Sequence, residues 1–301
     1  MNIFKKLGAE FLGTLIFVLV ISLCITQKIP VTPIAIGLIL MIIVYTGSKI
    51  SGGHYNPVVT FSVWLTMQNK INARDMFLYM IFQFIGGMAG ALISWGLTLY
   101  TVRFYPLLTS NGSDMTRAFF AEFIFSSLLV FVVLVFVVSN KYKGNPYFGF
   151  LIGSSLSVAV FSIGSISGAA INPAVGFGIA IVNFLSNVNN DFMFVWIYLT
   201  APFLGGMFAN FLFYLFFLLE NINIDDDENK VSNQEFKYKF NKYKKRIDMK
   251  IWILYKLKFH YLLLFNCNRT KPIINIFSYV YYYIWIKIVL ILFKVLKIIY
   301  I

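Results

Sequence analysis

The chain has 301 residues, of which 59% are hydrophobic and 12% charged, with a formal net charge of +13. That composition excludes a soluble globular domain, and the apolar runs reach the length of a membrane span. Two cysteines, Cys24 and Cys267, exclude a disulfide framework and a Cys-x-x-Cys metal site. Many of the basic residues fall after residue 229, so the charge reads as the cytoplasmic side of a membrane protein and no nucleic-acid partner is expected.

Met1–Lys6 carries two lysines ahead of an apolar stretch with no clear small-residue cleavage site. It opens an uncleaved first span, about Leu7–Thr26. Span two is expected at about Thr32–Lys49. The stretch Ser51-Gly52-Gly53-His54-Tyr55-Asn56-Pro57-Val58-Val59-Thr60-Phe61 then breaks the apolar pattern. Asn caps a helix and Pro occupies its first turn, where the missing N–H is no loss. A short helix to about Met67 is therefore expected. Span three follows at about Arg74–Thr101, then a polar loop, Val102–Met115. Span four is about Arg117–Ser139, and span five about Tyr147–Gly164. The stretch Ser167-Gly168-Ala169-Ala170-Ile171-Asn172-Pro173-Ala174-Val175-Gly176-Phe177 repeats the break and opens a second short helix to about Phe184. Span six is about Phe192–Leu219. The expected fold class is an all-α membrane protein with six transmembrane helices plus two re-entrant half-helices.

The two halves repeat. Ala9-Glu10-Phe11 matches Ala121-Glu122-Phe123, Asn56-Pro57 matches Asn172-Pro173, and Gln83-Phe84-Ile85-Gly86-Gly87 matches Pro202-Phe203-Leu204-Gly205-Gly206. The offsets are 112, 116 and 119 residues. Each half holds an odd number of spans, so the second is inserted upside down, as an inverted repeat. Residues 1–219 form the channel-like domain, with repeat one at 1–101 and repeat two at 117–219. A charged cytoplasmic segment, 220–248, follows. The last stretch, 249–301, rich in Ile, Lys, Tyr and Phe, reads as a low-complexity extension, a membrane-surface helix or a seventh span.

With both termini cytoplasmic, the inner side receives Lys5, Lys6, Lys49, Lys70, Arg74, Lys141 and Lys143. The outer side receives Lys28, Arg103 and Arg117. The excess of positive residues inside supports that orientation. Asn111-Gly112-Ser113 then lies outside as a glycan acceptor sequence.

The inverted repeat brings the two half-helix N-termini together near the midplane. Each carries about half a positive elementary charge, which opposes a cation. The amides of Asn56 and Asn172 donate to a passing oxygen. A water held by both points its own hydrogens outward, which breaks a proton wire. Carbonyls of Gly52, Gly53, His54, Gly168, Ala169 and Ala170 supply acceptors on either side. His54 reads as a pore-lining residue or a pH gate. The intramembrane carboxylates Glu10 and Glu122 are functional candidates by position alone, as proton-relay groups. No serine, cysteine or histidine constellation supports an enzyme, and no cofactor or metal is expected.

These paired motifs, over about residues 7–219, resemble the major intrinsic protein family, the aquaporins and aquaglyceroporins. The resemblance implies a pore in each protomer of a homotetramer in a lipid bilayer. That pore would pass water and small uncharged solutes such as glycerol, urea or ammonia. It implies that Glu10 and Glu122 hold the two pore loops. It also places an outer selectivity filter at Ile36, Val160, Ala169 and Val175, where a two-residue slip in span five would substitute Ser162 for Val160. The family usually has arginine at position 175 and alanine at position 58. With valine there, the filter has no charge and no side-chain donor, so weaker discrimination is expected. Glycerol-type members usually carry aspartate where this chain has Gly176. Tyr198-Leu199 combines features of both subgroups, so water versus glycerol stays open. Gly86, Gly87, Gly90, Gly205 and Gly206 are expected to allow close helix packing. The competing functions are a secondary transporter and a non-conducting membrane protein.

Overall fold

The computed structural model describes residues 2–100, 113–186 and 191–218, and regular structure among them is entirely helical. The helices are α1 (Ile3–Thr26), α2 (Thr32–Gly47), α3 (Pro57–Leu65), α4 (Ala73–Thr98), α5 (Ser113–Val133), α6 (Phe148–Ser167), α7 (Pro173–Leu185) and α8 (Val195–Phe213). α5 and α8 each continue into a π-helical turn, Leu134–Val138 and Tyr214–Leu218. The expectations for residues 219–301 and for the sequon at Asn111 lie outside the described residues.

Each helix lies within a few residues of its expected span. α1, α4, α6, and α5 and α8 with their π-helical turns, are long and apolar enough to cross a membrane. α2 is shorter, at 16 residues, and rises about 24 Å at 1.5 Å per residue. α3 has 9 residues and α7 has 13, each half a crossing. The result is the six-span, two-half-helix inverted repeat.

Helices in lipid gain nothing by hiding apolar surface from one another, so close backbone approach holds them together. α1 packs on α4, and α5 on α8, as repeat-related pairs; α2 packs on α6 across the repeats. A methyl group at Gly86 or Gly90 would run into the carbonyls of Phe11 or Leu15 on α1. One at Gly205 would meet the Phe123 carbonyl on α5. Gly37 and Gly153 sit against each other's carbonyls where α2 crosses α6. Large apolar side chains such as Ile81, Ile124 and Phe161 point outward and stay exposed. Of the half-helices, α3 packs on α4, α5 and α8, and α7 on α1, α4 and α8.

Candidate pore

Both half-helices begin alike. Asn56 and Asn172 are extended, with φ −151° and −147°, and each turns its Oδ1 onto its own helix. Val58 N donates to Asn56 Oδ1 at 3.0 Å, and Ala174 N to Asn172 Oδ1 at 2.9 Å. Pro57 and Pro173 occupy the first turn. The residues just before the asparagines, Tyr55 and Ile171, are held at φ 49° and 34°. Non-glycine residues resist that left-handed region, and a β-branched one most of all, so the surroundings must impose it.

The two carboxylates impose it. Glu10 and Glu122 are fully buried. Glu10 Oε2 accepts from Tyr55 N at 2.7 Å, and Oε1 accepts from His54 N and Ser51 Oγ. Glu122 Oε2 accepts from Ile171 N at 2.6 Å, and Oε1 from Ala170 N and Ser167 Oγ. Each carboxylate thus takes the N–H of the strained residue and that of its neighbour.

The carbonyls of the same strained residues face the opposite loop. Asn56 Nδ2 donates to Ile171 O at 3.1 Å, and Asn172 Nδ2 donates to Tyr55 O at 2.9 Å. Each amide nitrogen carries two hydrogens. One goes to the opposite loop, which leaves one for a solute. The sequence anticipated the amide donors but not that they also stitch the loops together.

Two cavities run along the loops. The larger, about 390 Å³, is lined by Gly52, Gly53, His54 and Asn56, by Ala170, Ile171 and Asn172, and at its rim by Lys6, Lys70 and Asp75. The smaller, about 150 Å³, is lined by Ile36, Val160, Gly168, Ala169 and Ala170, with Thr32 as its one side-chain hydroxyl. Ser162 is exposed and donates to Val158 O instead. Val175 is fully buried and lines neither cavity. Val58 is also fully buried, with Cγ2 resting over Gly206 of α8.

Four polar residues around the loops escaped the sequence reading as site residues. Tyr79 OH donates to Ser51 O at 2.9 Å, and Tyr198 OH to Ser167 O at 2.6 Å. Their offset of 119 residues equals that of the Gln83/Pro202 landmark, which is the signal that would have paired them. Gln83 Nε2 donates to Glu10 Oε2 at 2.7 Å and to Thr60 Oγ1 at 2.8 Å. Thr60 Oγ1 gives its single hydrogen to Asn56 O. Its contact with His54 Nδ1 at 3.1 Å must therefore run from the ring. That places a hydrogen on Nδ1. Tyr198→Phe is expected to lower the thermal midpoint in detergent by about 2–4 °C, the scale of one lost hydrogen bond. An unchanged midpoint would show that the phenol does not brace Ser167.

Fold and site together define an integral membrane protein built as an inverted repeat around two opposed half-helices. The sequence model of a family described as Major intrinsic protein matches residues 1–213. The chain belongs to the major intrinsic protein family. It is 33% identical over 218 residues to "Aquaporin-8" of Notomys alexis, covering 69% of this chain and 80% of that protein. It is 30% identical over 208 residues to "Aquaglyceroporin" of Toxoplasma gondii, covering 68% and 76%. Among solved structures, the X-ray structure of the aquaglyceroporin from Plasmodium falciparum shares the fold. Its TM-score is 0.60 at 19% identity, over 74% of this chain and all of that one.

Proposed function

We propose that this protein is a passive transmembrane channel for water and small uncharged solutes that excludes protons where Asn56 meets Asn172. The reciprocal bonds from each asparagine to the other loop's strained carbonyl carry the reading. They fix two helix N-termini and two free amide hydrogens in the wall of the larger cavity. A cation there meets two positive helix ends, and a water bound to both amides cannot relay a proton. Names among the relatives, an aquaporin and an aquaglyceroporin, point to the same solute class.

Ile36, Val160 and Ala169 form its outer selectivity filter; Val175, expected to join them, is buried and lines neither cavity. That set has neither charge nor side-chain donor, so the outer half discriminates weakly among neutral solutes. Both termini are cytoplasmic, with Lys6, Lys70 and Asp75 at the inner mouth, and the protein assembles as a homotetramer. The test is swelling of proteoliposomes in water, glycerol and urea gradients. Water permeability above that of protein-free vesicles, without saturation or ion dependence, is expected. Saturating, ion-dependent uptake would overturn the channel. Val175→Arg adds bulk and charge to the outer half and is expected to lower glycerol and urea permeability relative to water. Unchanged selectivity would show that a side chain at position 175 does not reach the pore.

A further inference from the structure

We infer that the size-selecting neck of this pore is the gap between Phe17 and Leu156 at the level of Ala170, deeper than the outer filter set. The inference rests on the reading as a passive channel and locates where that channel sorts solutes by size. The two cavities, about 390 and 150 Å³, have three lining residues in common: Phe17, Leu156 and Ala170. Space opens on either side of these three, so the lumen narrows between them. Ile36 and Val160 instead line the body of the smaller cavity, which is a widening, and Val175 lines neither space.

The scaffold explains the placement. α1 packs chiefly on α4, and α6 chiefly on α2. Phe17 on α1 and Leu156 on α6 are each 3% exposed, and both face the passage. Ala170 lies on the second loop, where its N–H is taken by Glu122 Oε1 at 3.0 Å, and it is two residues before Asn172. The loop side of the neck is thus held in place, with the Ala170 carbonyl as its remaining polar group, and the α1–α6 side is apolar.

A solute in this neck keeps hydrogen bonds on one side only. It must shed the rest of its hydration against a ring and an isobutyl group that return nothing. Water loses least. A polyol or urea must present a polar edge to the loop and an apolar edge to Phe17 and Leu156. The cut-off is then set by side-chain volume at positions 17 and 156, and by hydration, with charge excluded separately at the asparagines.

The test uses the full chain in proteoliposomes, with water, glycerol and urea as probes. Phe17→Leu and Leu156→Val trim the neck with little change in polarity. Each is expected to raise the glycerol-to-water permeability ratio by about threefold or more. Leu156→Phe fills the neck and is expected to lower water and glycerol permeability together, by about tenfold. The gain of glycerol permeability in the trimming variants, which a damaged fold would not give, separates the neck from general damage. Ile36→Ala, in the wider cavity, is expected to change the ratio less than either trimming variant. If Ile36→Ala or Val175→Arg moves the ratio and the Phe17 and Leu156 variants do not, the neck is misplaced. If the unaltered chain shows no water permeability while present in the vesicles, the channel reading falls and the neck falls with it. A normal water permeability with no response at positions 17 and 156 overturns the neck alone.

Discussion

Glu122→Ala is expected to abolish the folded channel. The carboxylate is fully buried and accepts from Ser167 Oγ at 2.7 Å, Ala170 N at 3.0 Å and Ile171 N at 2.6 Å. Alanine orphans all three donors inside the membrane, where water cannot replace the lost acceptor. Each orphaned donor costs about 1–3 kcal/mol, so the loss is of the order of 5 kcal/mol. That is comparable with the whole stability of a marginal protein. Ile171, no longer tied through its N–H, is free to leave φ 34°, and its carbonyl then leaves Asn56 Nδ2. Glu122→Gln is the informative companion. Its oxygen keeps part of the cage, but its amide NH2 faces donors, so it is expected to fall between the wild type and alanine. The measurement is the amount of monodisperse protein from membranes together with its thermal midpoint. Wild-type yield and midpoint for Glu122→Ala would show that the carboxylate does not hold the loop.

The two loops are not equally braced, and the asymmetry lies in particular residues. Around Glu10, Gln83 and Thr60 link the carboxylate to His54 and to the Asn56 carbonyl. At the matching positions of the second repeat stand Pro202, Gly176 and Ala170. None of these carries a polar side chain, so these three positions add no side-chain bond behind Glu122. Gly176 also lies against Tyr198, where a Cβ would collide with the Tyr198 Cβ and ring. Tyr198 in turn holds Ser167 O. A side chain at position 176 would therefore disturb the only phenol bracing the second loop among the described residues.

Asn56-Pro57 and Asn172-Pro173 were legible in the sequence because capping is local. An amide that closes its own first turn, and a proline that needs no donor, are written within three residues. Spans were legible because a run of apolar residues is a property of composition. The end of α2 was harder, since Ser48 keeps helical dihedrals although the helix stops at Gly47. Gln83 and Tyr79 were not legible as site residues, because their partners lie 73 and 28 residues away. Nothing near them in the chain marks their facing. Gly37 and Gly153 escaped for the same reason: a glycine that touches another backbone looks, in sequence, like one that touches nothing. The burial of Val175 also depends on how α7 rotates against its neighbours, which spacing after Asn172 does not fix.

Two glycines of one helix supply the second large expected effect. Gly87 and Gly96 both lie in α4, and alanine raises helix propensity at either by up to about 1 kcal/mol. Their surroundings differ. A Cβ at Gly96 meets nothing within 4 Å, so Gly96→Ala is expected to be neutral or to raise the thermal midpoint by about 2–4 °C. A Cβ at Gly87 runs into the Ala174 carbonyl, with the Ala174 carbonyl carbon at 3.1 Å and its Cβ at 3.5 Å. Gly178 of α7 presses on the same spot from the other side, where its own Cβ would meet the Gly87 carbonyl carbon at 2.6 Å. Backbone cannot rotate away as a side chain can, so α7 must move as a body. Overpacking of this kind costs about 1–3 kcal/mol, which exceeds the propensity gain. Ala174 N is also the donor that Asn172 Oδ1 caps, so a displaced α7 carries Asn172 away from the Tyr55 carbonyl. Gly87→Ala is therefore expected to lower both the thermal midpoint and water permeability, and Gly87→Leu to eliminate folded protein. Thermal unfolding in detergent, paired with proteoliposome swelling for Gly87→Ala and Gly96→Ala, tests the contrast. Equal effects of alanine at the two positions would mean that α4 and α7 do not meet at Gly87.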